Sequence, residues 1–177
     1  SAGIVLPPKR WTGSTIGNVP IGQGIAVTPL QMASVYAAIA NGGVWIRPHF
    51  AERVGDERLP KPDRQRVIKR STARQLIDMM RDVVDDGTGT EAEVSGYTVA
   101  GKTGTAAKPD ASGGYSDTEY VASFVGIVPA KVPRLAILVA VDEPQGDIYG
   151  GTVAAPAFAQ IAEFALQYLD VPPDADG

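Results

Sequence analysis

The residues best suited to chemistry lie in one strip, Tyr97-Thr-Val-Ala-Gly-Lys-Thr-Gly-Thr-Ala106, where an apolar run opens onto a lysine flanked by glycines and threonines. Lys102 supplies a fixed cation, and Thr103 and Thr105 supply hydroxyls. Gly101 and Gly104 lack Cβ atoms, so another backbone or a ligand can approach closely there. A cation, hydroxyls and backbone N–H groups in so short a span make a receptor for an anion or a developing oxyanion.

Two enzyme classes use such a strip. Gly96-Tyr-Thr-Val-Ala-Gly101-Lys102-Thr103 satisfies the phosphate-binding pattern G-x-x-x-x-G-K-[ST], and Leu135-Ala-Ile-Leu-Val-Ala-Val-Asp142-Glu143 looks like its acidic-ended metal strand. That loop needs a strand before it and a helix starting at the Lys-Thr pair, so that N-terminal amides cradle phosphate. Here the preceding residues 90–95 are acidic and irregular, and Pro109 with Gly113-Gly114 prevents a lasting helix afterwards. Tyr97-Thr-Val-Ala100 also favours extended backbone.

The second class is the one in which Lys-Thr-Gly lies on a strand beside a nucleophilic serine. Lys102-Thr-Gly-Thr-Ala106 resembles the motif of class B penicillin-binding proteins, the division and elongation transpeptidases. Gly22-Gln-Gly24 and Thr28-Pro-Leu-Gln31 upstream, with Ala122-Ser-Phe-Val-Gly126 and Gly150-Gly-Thr-Val-Ala-Ala-Pro156 downstream, follow in that family's order. The resemblance runs over nearly all 177 residues, and its spread makes it more specific than the short motif.

The length suits one domain that removes ~70% of the unfolded chain's surface from solvent. We expect residues 1–170 to form a portion of that domain and 171–177 a frayed tail. A formal charge of -4 leaves no footprint for nucleic acid, and without cysteine there is neither a disulfide nor a thiolate metal site. No cofactor or metal is expected. No apolar run reaches membrane-spanning length, and residues 1–8 are too short and uncharged for a signal peptide, so the chain reads as a soluble piece.

Around the strip, residues 1–24 read as an extended lead-in with turns, Trp11 covering the side of the core. Thr28 caps a helix with Pro29 first and Gln31 completing a capping box; Met32, Val35, Tyr36 and Ile39 form its stripe, and Gly42-Gly43 ends it. Residues 44–50 suit a short strand with an edge at Pro48, and His49, the only histidine, reads as structural. The charged stretch 52–70 suits a solvated hairpin or loop. Ser71 caps a second helix with Leu76, Met79, Met80, Val83 and Val84 at helical spacing, closed by Asp85-Asp86-Gly87. Gly87-Thr-Gly-Thr90 is a loop, with a helical turn near 91–93.

Three strands follow, near 97–107, 120–128 and 135–141, with connections short enough to be antiparallel. The last is apolar at every position, as if covered on both faces, yet with three strands it sits at an edge. A final helix after Gly150-Gly151 carries Val153, Ala157, Ile161, Phe164, Ala165 and Tyr168 as its buried face.

The resemblance implies an α+β fold like that of the serine β-lactamases. Its five-stranded antiparallel sheet takes its first two strands, and the nucleophile helix, from sequence absent here, so a partial sheet of at least three strands packed with helices is expected. No serine has Lys three residues on, Ser71 coming nearest with Arg74, and no Ser-x-Asn occurs. Ser116-Asp-Thr118 matches a β-lactamase variant of that second motif only superficially and follows the Lys-Thr-Gly strip. The chain thus resembles the C-terminal half of a transpeptidase domain without its serine, and should be inactive alone. The resemblance implies that Lys102 and Thr103 hold the terminal carboxylate of a stem peptide or β-lactam. Thr105 supplies one backbone N–H of the oxyanion hole, Gly104 lies between them, and Tyr120 and Tyr149 line the cleft mouth. Ala107 and Ile148 depart from the longer polar and the aromatic residue common in relatives. Expected partners are peptidoglycan stem peptides and β-lactams, and either the other half of the domain or another chain on the open sheet edge. The location implied is outside the cytoplasm, on an N-terminal membrane anchor. The alternative from another class is a folded interaction or scaffold module that binds no substrate.

Overall fold

The fold was obtained as a computed structural model that describes residues 2–22, 24–110 and 113–175. Gln23 of the Gly22-Gln-Gly24 piece, Ala111 and Ser112 of the loop after Pro109, and the last two residues of the expected tail lie outside the described residues.

Strands β1 (Ile4–Val5) and β2 (Ile25–Ala26) pair antiparallel and bracket the lead-in. Where extended chain was expected, proline and threonine at turn starts nucleate a 3-10 turn at Pro8–Arg10, helix α1 (Thr15–Asn18) and a second 3-10 turn at Val19–Ile21. Trp11 does not cover the core; its indole N–H donates to the Leu6 carbonyl at 2.8 Å, folding the lead-in on itself.

Helix α2 (Pro29–Ala40) starts where its cap places it: the Gln31 N–H donates to Thr28 Oγ1 at 3.2 Å and the Thr28 N–H to Gln31 Oε1 at 2.8 Å. Gly43 ends it in the left-handed region, its N–H donating to the Ala38 carbonyl at 2.8 Å. Of the expected stripe only Ile39 is buried and Val35 is exposed; the small Ala38 takes the second buried place.

Strand β3 (Val44–Ile46) stops ahead of Pro48, leaving Phe50 fully in solvent, and pairs with β6 (Arg64–Arg66) beyond a small hairpin of β4 (Arg53–Val54) and β5 (Glu57–Arg58). His49 is exposed there, its Nδ1 3.1 Å from the Arg47 carbonyl. Helix α3 (Arg70–Asp85) begins two residues earlier than its serine suggests: Lys69, not Ser71, occupies the cap position, and Ser71 lies inside the first turn. Ala73, Met80 and Val84 form its buried face, while Met79 is exposed. A 3-10 turn at Thr90–Ala92 follows.

The main sheet has order β7-β8-β9, all antiparallel: β7 (Ala100–Pro109), β8 (Tyr115–Val128) and β9 (Leu135–Asp142). Strand β7 starts three residues later than expected because Tyr97 bridges to Val94 instead. Alternate residues of β8 face opposite cores. Phe124 and Val128 meet Phe158, Ala162 and Leu166, whereas Ile127 joins Ala100, Ile39 and Met80. The sheet is therefore packed between the final helix and the pair α2 and α3. Leu135, Ile137 and Val139 of β9 are only partly buried, in keeping with its place as the outer strand.

Helix α4 (Gly150–Val153) leads into α5 (Ala155–Tyr168). The buried face of α5 is Ala155, Phe158, Ala162 and Leu166, not the expected set: Ile161, Phe164 and Tyr168 are exposed, and Phe164 stacks on Tyr168 at 6.1 Å. The segment after it is no frayed tail through residue 175. Val171 is buried, its carbonyl accepts from Tyr97 Oη at 2.6 Å, and the Asp174 carboxylate accepts from the Thr98 N–H at 2.7 Å and the Thr98 hydroxyl at 2.6 Å. These contacts satisfy backbone groups just ahead of β7 that no strand pairs.

Candidate active-site strand

Residues Lys102 to Thr105 lie in the middle of β7, the end strand of the sheet, with register Lys102↔Val125, Thr103↔Phe124, Gly104↔Ser123 and Thr105↔Ala122. No helix starts at Thr103, so the amide cradle that a nucleotide phosphate requires is absent and the phosphate-loop pattern is a coincidence of letters. The Cβ-free sides of Gly101 and Gly104 are taken up from within: the Phe124 ring fills the first and Ser123 Oγ the second. Packing within the sheet therefore requires glycine at both positions.

Successive side chains alternate, so Lys102 leaves one face of β7 while Thr103 and Thr105 leave the other. The Lys102 ammonium bends back over the strand, donating to the Thr103 carbonyl at 3.0 Å and approaching Thr103 Oγ1 at 3.4 Å. Backbone groups two residues apart point the same way, so the Thr105 amide shares the side of the strand on which Lys102 meets the Thr103 carbonyl.

Two neighbouring segments hold the strip. The hydroxyls of Thr88 and Thr103 are 2.8 Å apart, and the Gly150 N–H, at the first residue of α4, donates to Thr105 Oγ1 at 3.3 Å. A Cβ on Gly151 would run into the Thr88 carbonyl, so the loop and α4 touch backbone to backbone. Tyr149 precedes α4, is 64% exposed, and stands beside Thr105 through Gly150. Its N–H donates to Asp147 Oδ1 at 3.0 Å; that bond, then the Thr152 hydroxyl and the Ile148 N–H, hold the Asp147 carboxyl below its ordinary value. Tyr120 lies opposite Ala107, two residues along β8 from the partner of Thr105, half-buried with its hydroxyl donating to the Asp117 carbonyl at 3.3 Å.

The two lysines of the strand differ in their company. Lys108 is neutralised by Glu143 at 2.6 Å and Asp142 at 3.0 Å, and the hydrogen bond to Glu143, followed by that to Asp142, holds its ammonium above the usual lysine range. Lys102 forms no ion pair among the described residues. The structure thus gathers Lys102, Thr103, Gly104, Thr105 and Tyr149, with Tyr120 further along. Thr88 and Gly150 were not singled out as site residues from sequence; a lone hydroxyl between two glycines, Gly87-Thr-Gly89, was the available signal for the first.

A cationic Lys-Thr-Gly strand at the end of an antiparallel sheet, backed by a C-terminal helix, defines the class of penicillin-recognising folds built for acyl transfer to serine. Residues 1–163 match the family described as the penicillin binding protein transpeptidase domain. Penicillin-binding protein PbpB of Mycolicibacterium smegmatis is 42% identical over 193 residues, spanning 99% of this chain and 30% of that protein. Peptidoglycan D,D-transpeptidase FtsI of Escherichia coli K12 is 37% identical over 176 residues, 98% of this chain and 29% of its own length. The crystal structure of penicillin binding protein 3 from Mycobacterium tuberculosis complexed with ampicillin superposes with a TM-score of 0.90 at 40% identity, covering 99% of this chain and 42% of the other. The chain belongs to the penicillin-binding protein transpeptidase family, and its α+β fold is that of the family. It spans about 30% of the length of the curated relatives named here.

Proposed function

We propose that this chain supplies the carboxylate-binding and oxyanion strand of a class B peptidoglycan D,D-transpeptidase. The observation that carries the reading is Lys102: a cation with no acidic partner among the described residues, set against the Thr103 hydroxyl on the end strand of the sheet. In the reaction, a serine attacks the penultimate D-alanine carbonyl of a stem peptide and expels the terminal D-alanine. The amine of a neighbouring stem then takes the acyl group. Lys102 and Thr103 receive the substrate's terminal carboxylate through charge-assisted hydrogen bonds. The Thr105 N–H supplies one of the two donors to the oxyanion, and Gly104 keeps the strip flat against Ser123. Tyr120 and Tyr149 border the stem peptide.

No Ser-x-x-Lys occurs in these 177 residues, so the nucleophile comes from elsewhere and the chain alone is inactive. Removing one oxyanion donor costs on the order of a hundredfold or more in rate, and without the nucleophile the covalent route is closed. The outer edge of β9 and the exposed Phe164 and Tyr168 of α5 accept the remainder of the transpeptidase domain, a reading supported by relatives over three times as long. Action on peptidoglycan places the whole enzyme outside the cytoplasm on a membrane anchor; no helix among the described residues is long and apolar enough to cross a membrane.

A chimera tests this, with residues 1–177 replacing the matching region of the M. smegmatis PbpB. It should release D-alanine from an acyl-D-alanyl-D-alanine peptide, and Lys102→Ala should lower that rate by about a hundredfold through lost carboxylate binding. A folded chimera indifferent to Lys102→Ala would overturn the assignment.

A further inference from the structure

We propose that Thr88 is a positioning residue for this reaction: its hydroxyl turns the Thr103 proton toward the substrate carboxylate. The inference rests on the transpeptidase reading above. The two hydroxyl oxygens are 2.8 Å apart, and Lys102 Nζ lies 3.4 Å from Thr103 Oγ1. A threonine hydroxyl has one proton and two lone pairs, whereas an ammonium only donates. If Thr88 donates to Thr103, both Thr103 lone pairs are taken, one by Thr88 and one by Lys102. The single Thr103 proton is then left for a carboxylate oxygen. In the reverse orientation Thr103 spends its proton on Thr88 and shows the carboxylate only a lone pair. An arriving anion therefore selects the first orientation, and Thr88 makes it available without moving an atom heavier than hydrogen.

The backbone holds Thr88 in place for this task. The Gly89 N–H donates to the Val83 carbonyl at 2.9 Å, a Cβ on Gly87 would stand 2.7 Å from that same carbonyl oxygen, and the Thr88 carbonyl abuts Gly151. The loop is thereby packed between the end of α3 and the start of α4, with the Thr88 side chain exposed toward β7.

The test uses the PbpB chimera with Thr88→Val, which keeps the branched shape and removes the hydroxyl, and Thr88→Ser, which restores it. The acylation rate constant is measured with benzylpenicillin, which carries the carboxylate, and with its methyl ester, which does not. Thr88→Val should slow benzylpenicillin roughly fivefold to tenfold, the worth of one hydrogen bond, and leave the ester rate unchanged; Thr88→Ser should match the parent. Equal slowing of both ligands by Thr88→Val, no slowing of either, or a Thr88→Ser loss as large as that of Thr88→Val would overturn the proposal alone. A folded parent chimera that takes up no benzylpenicillin would overturn the transpeptidase reading, and this inference with it.

Discussion

The Gly150 N–H donates to Thr105 Oγ1 at 3.3 Å, joining the start of the C-terminal helical segment to the strand that carries Lys102 across 45 residues of sequence. A Cβ at position 150 would collide with the Ser123 carbonyl and stand 2.5 Å from the Gly104 carbonyl. Gly150→Ala should destabilise the chain by about 1–3 kcal/mol, since both obstructions are backbone in a packed sheet. Urea unfolding checks the energy, and a shift of the Thr105 amide resonance checks the displacement.

The core between the sheet and α5 is centred on Phe124 and Phe158, fully buried with ring centroids 4.9 Å apart and planes inclined by 60°. Phe158→Ala should cost about 3–5 kcal/mol, the usual range for an aromatic deletion that leaves a cavity. Phe164→Ala on the same helix, at a position 70% exposed, should stay within about 0.5 kcal/mol in the isolated chain. Denaturation of the two variants side by side distinguishes the faces of α5.

Asp174 clasps the entrance to β7, accepting from the Thr98 N–H and hydroxyl and, at 3.3 Å, from the Lys131 N–H. Asp174→Ala should destabilise by about 1–3 kcal/mol and speed hydrogen exchange at the Thr98 amide, because those donors lose a charged acceptor. Unchanged exchange at Thr98 would show that the clasp is not formed in solution.

Which parts of this could be read in advance follows from the range of the interactions. The α2 cap was legible because Thr28 and Gln31 meet within one turn. The strand order was legible because β7, β8 and β9 are joined by short connections. The buried face of α5 was not, because its contact side is built from Ala155 and Ala162 around Phe158 and Leu166, while the larger Ile161, Phe164 and Tyr168 face outward; size alone pointed to the wrong side. The polar residues after Val171 resembled a loose end, and Asp174 finds Thr98 only across 76 residues, a pairing without local signature. Lys102-Thr-Gly-Thr105 stood out by type and spacing, but its supports, Thr88 and Gly150, lie on other segments and become visible only when the sheet is assembled.

The segment that carries Tyr149 should respond to acid. Asp147 has a folded-state pKa below its ordinary value, chiefly because the Tyr149 N–H donates to it. The bond is therefore favourable above the ordinary aspartate range and is lost as pH falls through the depressed value. The Tyr149 and Gly150 amide resonances should be constant from neutral pH down to about 4 and move only below it. A titration midpoint at or above the ordinary aspartate value would contradict this.

The central claim is that these residues bind and polarise the acyl donor while a serine outside them attacks. Intact mass with peptide mapping, before and after benzylpenicillin, tests it on the isolated chain and on the PbpB chimera together. The account expects no adduct on the isolated chain, and one penicillin on the chimera at a serine of its PbpB portion. An adduct on any residue between 1 and 177, or none on a folded chimera, would contradict it.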